Sequence, residues 1–223
     1  MLLAQLALLF GLFVLIQIQA ISYAFSVLGL SPRAALFALL VSLIGSYINI
    51  PLYTVQSGPA SGMPTANNFG VINRIPFEYS CPKTTVAVNV GGALVPIIIS
   101  AYAMANAPAA VLPSLLGTVI VALVTHHFAH PLRGVGIALP LFIPPLAAAL
   151  VALFLGKALR LEGGVHVIAY VSGVLGTLIG ADLSNLHRIA DLGAPVVSIG
   201  GAGTFDGVFL TGILAVLIAG FFS

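Results

Sequence analysis

The sequence predicts an all-α protein, a polytopic transmembrane helical bundle that forms a single integral membrane domain over residues 1–223. The chain is 60% hydrophobic and 5% charged, and its mean hydropathy is +1.19. A soluble protein with so little polar surface would not stay dispersed in water. The apolar runs number about seven, each near the roughly 20 residues that cross the hydrocarbon core of a bilayer. They account for most of the length and leave no separate soluble domain.

Charge and cysteine content exclude several kinds of partner and site. The seven basic and five acidic residues give a formal net charge of +2, so there is no basic surface for nucleic acid. The single cysteine, Cys81, excludes an intrachain disulfide bond. We therefore expect the lipid bilayer and an ion or small solute as partners, whereas the oligomeric state is open.

The first two spans are predicted at 2–28 and 34–50. The N-terminus has no Lys or Arg before its apolar run, and the run is too long for the apolar region of a signal peptide, so we expect a retained span. Two of its polar residues, Gln17 and Gln19, are expected to face neighbouring helices. Pro32 stands at a natural helix start before span two.

A polar loop and a broken span follow. Residues 54–83 are dense in Gly, Pro, Ser and Asn and lose every apolar period, which predicts a loop. Span three, at 84–104, contains the adjacent glycines Gly91 and Gly92, so its first half is predicted to be irregular or broken. Span four, at 109–130, ends in the histidine-rich sequence THHFAH.

The last three spans are predicted at 136–156, 165–183 and 195–220. Prolines in span five remove backbone donors and are expected to bend or break the helix. Span seven is expected to be broken as well, because its first half is rich in glycine around one carboxylate, Asp206. These prolines and glycines are Pro140, Pro144 and Pro145, and Gly200, Gly201, Gly203 and Gly207.

Seven spans fix which helix ends share a face of the membrane. The face that bears the N-terminus receives four basic residues and the opposite face receives three. The positive-inside rule then favours a multi-pass protein of the cell membrane with a cytoplasmic N-terminal face. The four residues are Arg74, Lys83, Arg133 and Arg188, and the three are Arg33, Lys157 and Arg160.

Polar side chains from several spans converge on this N-terminal face. Asn49 and Asn89 lie at the ends of spans two and three, Asp182 lies at the end of span six, and Asp206 lies inside span seven. A carboxylate at membrane depth is costly, so we expect it to have a partner or a function. The predicted binding site also includes the backbone of Gly91, Gly92, Gly200 and Gly201.

In the leading hypothesis the protein moves an ion or small solute. In this mechanism Asp206 binds the cation or proton, and Asp182 modulates that binding or relays the ion to the surface. Broken spans three and seven offer backbone ligands. VNVGGA at 88–93 resembles VSIGGA at 197–202, either by chance in a glycine-rich apolar sequence or through a duplication of the kind that transporters use. Three alternatives stay open: the asparagines only join or cap helices, the glycines only permit close packing, and the protein has a structural or assembly role.

Three stretches together carry a family resemblance. They are VNVGGALVPIIISAY from Val88, GVGIALPLFIPPLAAAL from Gly134, and the run from GTLIGADLSNLHRI through LGAPVVSIGGAGTFDGVFLTGILA. They are similar to a family of small prokaryotic integral membrane proteins that is catalogued as a domain of unknown function. The resemblance covers about two thirds of the chain. It implies a membrane-embedded protein and brings no activity or catalytic residue with it.

Two further resemblances point to proteolysis. Asp182 and Asp206, the second after GAG, are similar to the paired membrane aspartates of the presenilin and signal-peptide-peptidase families, which implies a catalytic pair that activates water. His126 and His130 at i, i+4 and the later Asp206 resemble the zinc ligands of site-2-type metalloproteases. His127 takes the place of the glutamate that serves there as general base. Zinc is expected only in this alternative, and otherwise no cofactor is expected.

Overall fold

The computed structural model describes residues 2–56, 83–132, 136–191, 194–201 and 207–223. In this part of the chain the α-helices are α1 (Leu2–Val27), α2 (Pro32–Gly45), α3 (Val95–Asn106), α4 (Val111–Phe128), α5 (Ile143–Ala158), α6 (Val165–Thr177) and α7 (Gly207–Phe222). The strands are β1 (Asn49–Gln56), β2 (Lys83–Asn89), β3 (His130–Leu132), β4 (Gly136–Ala138) and β5 (Val196–Ile199). Two π-helical turns, Val90–Leu94 and Leu178–Asp182, and three 3₁₀ segments, Pro108–Ala110, Glu162–Gly164 and Leu183–Asp191, complete the described structure.

The prediction of a mainly helical chain is confirmed, but the all-α class is wrong in one respect. Strands β1, β2 and β5 form a mixed three-stranded sheet in that order, and β3 and β4 form a short hairpin. β1 runs antiparallel to β2, which places Asn49 opposite Asn89. β2 runs parallel to β5, with Val88 opposite Ile199. β2 and β5 lie where the sequence predicted the starts of helical spans, and β1 covers the end of span two and the first residues of the predicted loop. Residues 57–82 of that loop lie outside the described residues.

The seven-span arrangement is not confirmed. Among the described residues, Pro108–Phe128 and Val165–Ile189 are each long and apolar enough to cross a membrane. Gln17–Val27 and Pro32–Gly45 are bent by 114° at a short break, so together they count as one broken span or a re-entrant loop. The shorter apolar helices are Val90–Asn106, Ile143–Ala158 and Gly207–Phe222. These helices are compatible with membrane insertion.

Helix α6 is the centre of the bundle and packs in parallel with α4 through small residues. Contacts between the two helices occur at successive levels, four residues apart on each. In order along both helices, these pairs are Gly117 with Ser172, Val121 with Gly176, and Thr125 with Gly180. The Thr125 hydroxyl donates to the Gly176 carbonyl oxygen at 3.0 Å. Because the order is the same on both helices, the C-terminal ends of α4 and α6 lie at the same end of the bundle.

Helix α5 shows how apolar volume is distributed in this bundle. Its small residues Ala148, Ala149 and Ala152 are fully buried, whereas Leu150 is 65% exposed and Phe154 is 72% exposed. In water this arrangement would leave large side chains in contact with solvent. In a bilayer it is favourable, since small residues let helices approach closely and large apolar residues contact lipid. The exposed side chains of α5 are therefore compatible with contact to lipid.

The interruption expected in span five is present, but it comes before the helix and does not bend it. Helix α5 begins at Ile143, so Pro144 and Pro145 lie in its first turn. Backbone N–H groups in the first turn have no partner within the helix, so a proline there, which lacks the N–H, removes no helical hydrogen bond. The prolines therefore start the helix. The preceding residues, from Gly136 to Ala138, form strand β4.

The break expected in span three is present and is a strand. β2 ends at Asn89, the glycine-containing π-helical turn follows, and α3 begins at Val95. Span seven has the same order, because β5 precedes Gly200 and Gly201 and α7 starts at Gly207. In span one, Gln17 and Gln19 are exposed, so the expectation that they face neighbouring helices is wrong for the described part of the chain.

Candidate functional site

Asn89 anchors a polar cluster where β2 turns into α3. Its side chain is 3% exposed. The carbonyl Oδ1 accepts a hydrogen bond from the Gly92 backbone N–H at 2.8 Å, which caps the turn. Its Nδ2 group donates to the Ser46 carbonyl oxygen at 2.7 Å and to Asn49 Oδ1 at 3.0 Å. Both amide hydrogens and the carbonyl oxygen of Asn89 are therefore occupied.

Asn49 joins the three strands through its side-chain oxygen. Besides the bond from Asn89, Asn49 Oδ1 accepts a hydrogen bond from the Ser198 hydroxyl at 2.5 Å. Asn49 starts β1, Asn89 ends β2 and Ser198 lies in β5, so one oxygen ties the three strands together. Asn49 is exposed and Ser198 is half-buried, so this part of the cluster is open to the surface of the described structure.

Asp182 connects the end of α6 to the end of β5. It is half-buried at the end of the second π-helical turn, and its Oδ2 accepts a hydrogen bond from the Gly200 backbone N–H at 2.7 Å. This is the only hydrogen bond of the carboxylate to a described residue, and it forms no ion pair with any described Lys, Arg or His. Its negative charge therefore has one neutral donor and no cationic partner in the described structure.

The glycines let these backbones approach one another. Gly200 has a φ angle of +76°, and an added Cβ there would lie 2.7 Å from Ala93 Cβ. Such a φ angle favours glycine, because other residues rarely adopt it. A Cβ on Gly91 would run into the backbone of Ser42, which lies in α2, and of Ser46, which follows α2. The Ser42 hydroxyl donates to the Gly91 carbonyl oxygen at 2.8 Å, which fixes this contact.

The structure thus brings together most of the residues that the sequence selected. We call this set the Gly-Gly cluster; it consists of Asn49, Asn89, Gly91, Gly92, Asp182, Ser198, Gly200 and Gly201. Asp206 lies outside the described residues. Its role and its distance from Asp182, and with them the proposed catalytic pair, stay predictions.

The histidine pair proposed for zinc does not share a helix face. Helix α4 ends at Phe128 and Ala129 is extended, so His126 lies in the last turn of the helix whereas His130 lies in strand β3. The i, i+4 argument is therefore wrong, because the helix ends before the second histidine. Within the described ranges, no three His, Cys, Asp or Glu side chains are grouped closely enough to hold a metal ion. Asp206, the third ligand of that alternative, falls outside these ranges.

Sequence reasoning missed the serines of this region. Ser42 and Ser46 bring the end of α2 to the first glycine pair, and Ser198 connects β5 to Asn49. A serine in an apolar run is an ordinary residue for helix packing. The available signal was the similar position of Ser198 and Asn89, each two or three residues before a Gly-Gly pair.

Comparison with protein families gives one match. The model of a family described as a protein of unknown function, DUF1614, matches residues 43–218. The chain belongs to this family. The match contains every residue of the Gly-Gly cluster, and it confirms the resemblance to an uncharacterised family. No curated protein and no solved structure matches the chain, and no comparison supports the resemblances to intramembrane proteases.

Proposed function

We propose that this DUF1614 protein is a multi-pass protein of the cell membrane that binds a cation or small solute at the Gly-Gly cluster and moves it across the bilayer. The observation that carries the proposal is the uncompensated charge of Asp182. Among the described residues its carboxylate receives one backbone hydrogen bond and no cationic partner. A carboxylate removed from water in this way is costly, and a bound cation or proton relieves the cost.

The Asp182 carboxylate and the Ser198 hydroxyl are oxygen groups of the kind that a hard cation prefers. Ser198 lies two residues before Gly200, whose N–H binds Asp182, whereas Asn49 Oδ1 already accepts hydrogen bonds from Ser198 and Asn89. Asn89 is saturated by its own bonds, so its role in this proposal is to position Asn49. Asp206, in the same predicted span as Gly200 and six residues further on, would supply a second carboxylate.

The interrupted helices also support transport. Both α3 and α7 are preceded by a strand and a glycine pair, and their strands lie side by side. Many transporters bind their substrate where helices are broken, because the backbone groups freed there can serve as ligands. The large apolar side chains that α5 exposes support the membrane location. The weak excess of basic residues supports an N-terminal face in the cytoplasm.

Flux measurements on purified protein in liposomes test the proposal. Asp182→Asn removes the charge, yet its amide oxygen can still accept the Gly200 N–H, so the variant is expected to fold. We expect the flux of the conducted ion, identified from a panel of H⁺, Na⁺ and K⁺, to fall by about tenfold or more, since each 1.4 kcal/mol of lost stabilisation corresponds to a factor of ten.

Glu162→Gln is the matched control, because it neutralises a carboxylate in the segment at the opposite end of α6. It should keep the parent rate. If folded Asp182→Asn protein carries every tested ion at the rate of the parent, the proposal is wrong.

A further inference from the structure

Helix α6 carries a row of buried polar atoms that have no hydrogen-bond partner among the described residues. They are His166 Nε2, Tyr170 OH and Thr177 Oγ1. Tyr170 is fully buried and Thr177 is 4% exposed. Buried polar groups without a partner are rare in proteins, and bound water commonly provides the missing bond. Three such atoms on one helix therefore require an explanation.

The three residues lie on one face of α6. At 3.6 residues per turn, positions 166, 170 and 177 fall within about 40° of one another around the helix axis. Ser172 and Gly176, which contact α4, lie on a different face. The row rises about 16 Å from His166 to Thr177, at 1.5 Å for each residue. It therefore runs along the axis of the central helix.

The π-helical turn brings Asp182 to the end of this row. In an uninterrupted α-helix, a residue five positions after Thr177 would point about 140° away from it. Hydrogen bonds of a π-helical turn join residues five apart, so Asp182 follows Thr177 after slightly more than one turn and returns close to the same face. The widened turn thus aligns the carboxylate of the Gly-Gly cluster with the row.

Helix α7 covers the row with glycines. An added Cβ on Gly212 would lie 2.7 Å from Cε2 of Tyr170, so the ring packs on the bare backbone. At the far end, a Cβ on Gly220 would lie 3.1 Å from His166 Nε2 and 3.2 Å from the Tyr23 hydroxyl. The imidazole and the phenol therefore approach the same point, and Tyr23 is 46% exposed. The row reaches the surface of the described structure at the end opposite Asp182.

We propose that this row is a hydrated proton path that leads from Tyr23 and His166 past Tyr170 and Thr177 to Asp182, and that the ion of the Gly-Gly cluster is a proton. The path deepens the proposed function and rests on it. His166 Nε2 accepts a proton and gives it up to the next oxygen, and each hydroxyl or bridging water accepts a proton on its oxygen and releases another, so each N–H or O–H bond formed balances one broken. The net result is one proton delivered to the Asp182 carboxylate, and no oxidant or reductant is needed.

Proton flux into liposomes tests the path with two substitutions and two matched controls. Tyr170→Phe and Thr177→Val remove only the hydroxyl, or exchange it for a methyl group, and preserve shape. We expect each to lower proton flux by about tenfold, the factor that corresponds to one lost buried hydrogen bond. Tyr47→Phe, at a tyrosine that is 80% exposed, and Thr118→Val, at a threonine that is 5% exposed and bonded to the Ser114 carbonyl oxygen, should keep the parent rate.

The outcomes separate this inference from the function on which it rests. If Asp182→Asn stops the flux while folded Tyr170→Phe and Thr177→Val match the parent, the cation site stands and the path is wrong. A flux of Na⁺ or K⁺ that depends on Asp182 and not on Tyr170 would also overturn it. If Asp182→Asn has no effect on any ion, the proposed function itself fails.

Water contact can be measured without any transport assay. Radiolytic hydroxyl labelling modifies buried side chains that touch bound water. We expect the Tyr170 ring in the parent protein to be labelled several times faster than Phe25, which is equally buried in an apolar part of the core. Equal labelling of the two rings would show that no water reaches Tyr170, and the path would then be wrong.

Discussion

Two segments of this protein share a pattern and differ in how they are held. The first unit consists of β2, Gly91, Gly92 and α3, and the second unit consists of β5, Gly200, Gly201 and α7. Their strands are parallel neighbours in the sheet. In the first unit, Asn89 of the same strand caps the Gly92 N–H. In the second, the N–H of Gly200 is bound by Asp182, which comes from a different helix.

The difference assigns different roles to the two units. The cap of the first unit is neutral, buried and complete, so nothing in its surroundings needs to change for it to hold. The cap of the second unit is a carboxylate oxygen, Oδ2 of Asp182, and a cation or proton that binds this oxygen competes with the Gly200 N–H for it. We infer that the first unit is the fixed part of the site and that the second unit responds to a cation or proton bound at Asp182.

The largest loss of stability should come from placing a side chain in the close backbone contact that Gly91 of the first unit makes with α2 and Ser46. Gly91→Ala would place a Cβ against the backbone of α2 and the residues after it, and backbone cannot move aside as a flexible side chain can. We expect a loss of more than about 3 kcal/mol in the free energy of unfolding, measured by SDS-driven unfolding in detergent micelles. Gly163→Ala is the control, since nothing lies within 4 Å of a Cβ at that position. Equal stability of the two variants would contradict the described contact.

The helices could be predicted from the sequence and the sheet could not. Long apolar runs such as the one in α4 predict a helix by length alone. The residues of β2 were assigned to the start of helical span three, because a short apolar strand and the start of a buried helix have the same hydrophobic pattern. The neglected signal was the β-branched sequence Thr84-Thr85-Val86 before the glycine pair, which favours a strand.

The polar cluster was easier to anticipate than its details. Polar side chains at the ends of apolar runs must find partners. Because successive spans were expected to cross the membrane in opposite directions, Asn49, Asn89 and Asp182 were predicted to lie on the same face of the membrane. The histidine prediction failed because it depended on a helix end being correct to within two residues, which is less certain than the presence of the helix. Seven full spans were expected because apolar length alone does not separate a strand followed by a short helix from one continuous helix.

A smaller effect is expected from removing the cap of the first unit. Asn89→Ala deletes the bond to the Gly92 N–H and the bonds to Ser46 and Asn49. At roughly 1 kcal/mol each, the loss should be about 3 kcal/mol in the free energy of unfolding. Asn106→Ala, which deletes one exposed side-chain bond to the Tyr102 carbonyl oxygen, should cost less than about 1 kcal/mol. Similar losses in the two variants would mean that Asn89 does not hold the first unit.

The smallest and most selective effect concerns the second unit. Asp182→Ala leaves the Gly200 N–H without its partner and should cost about 2 kcal/mol in the free energy of unfolding. Asp182→Asn retains an acceptor oxygen, so its stability should stay within about 1 kcal/mol of the parent protein. Both variants lack the charge, and both should lose flux. Stability separates the hydrogen bond of Asp182 from its charge: if Asp182→Asn unfolds as easily as Asp182→Ala, a neutral acceptor does not hold Gly200 and the expectation for Asp182→Asn is wrong.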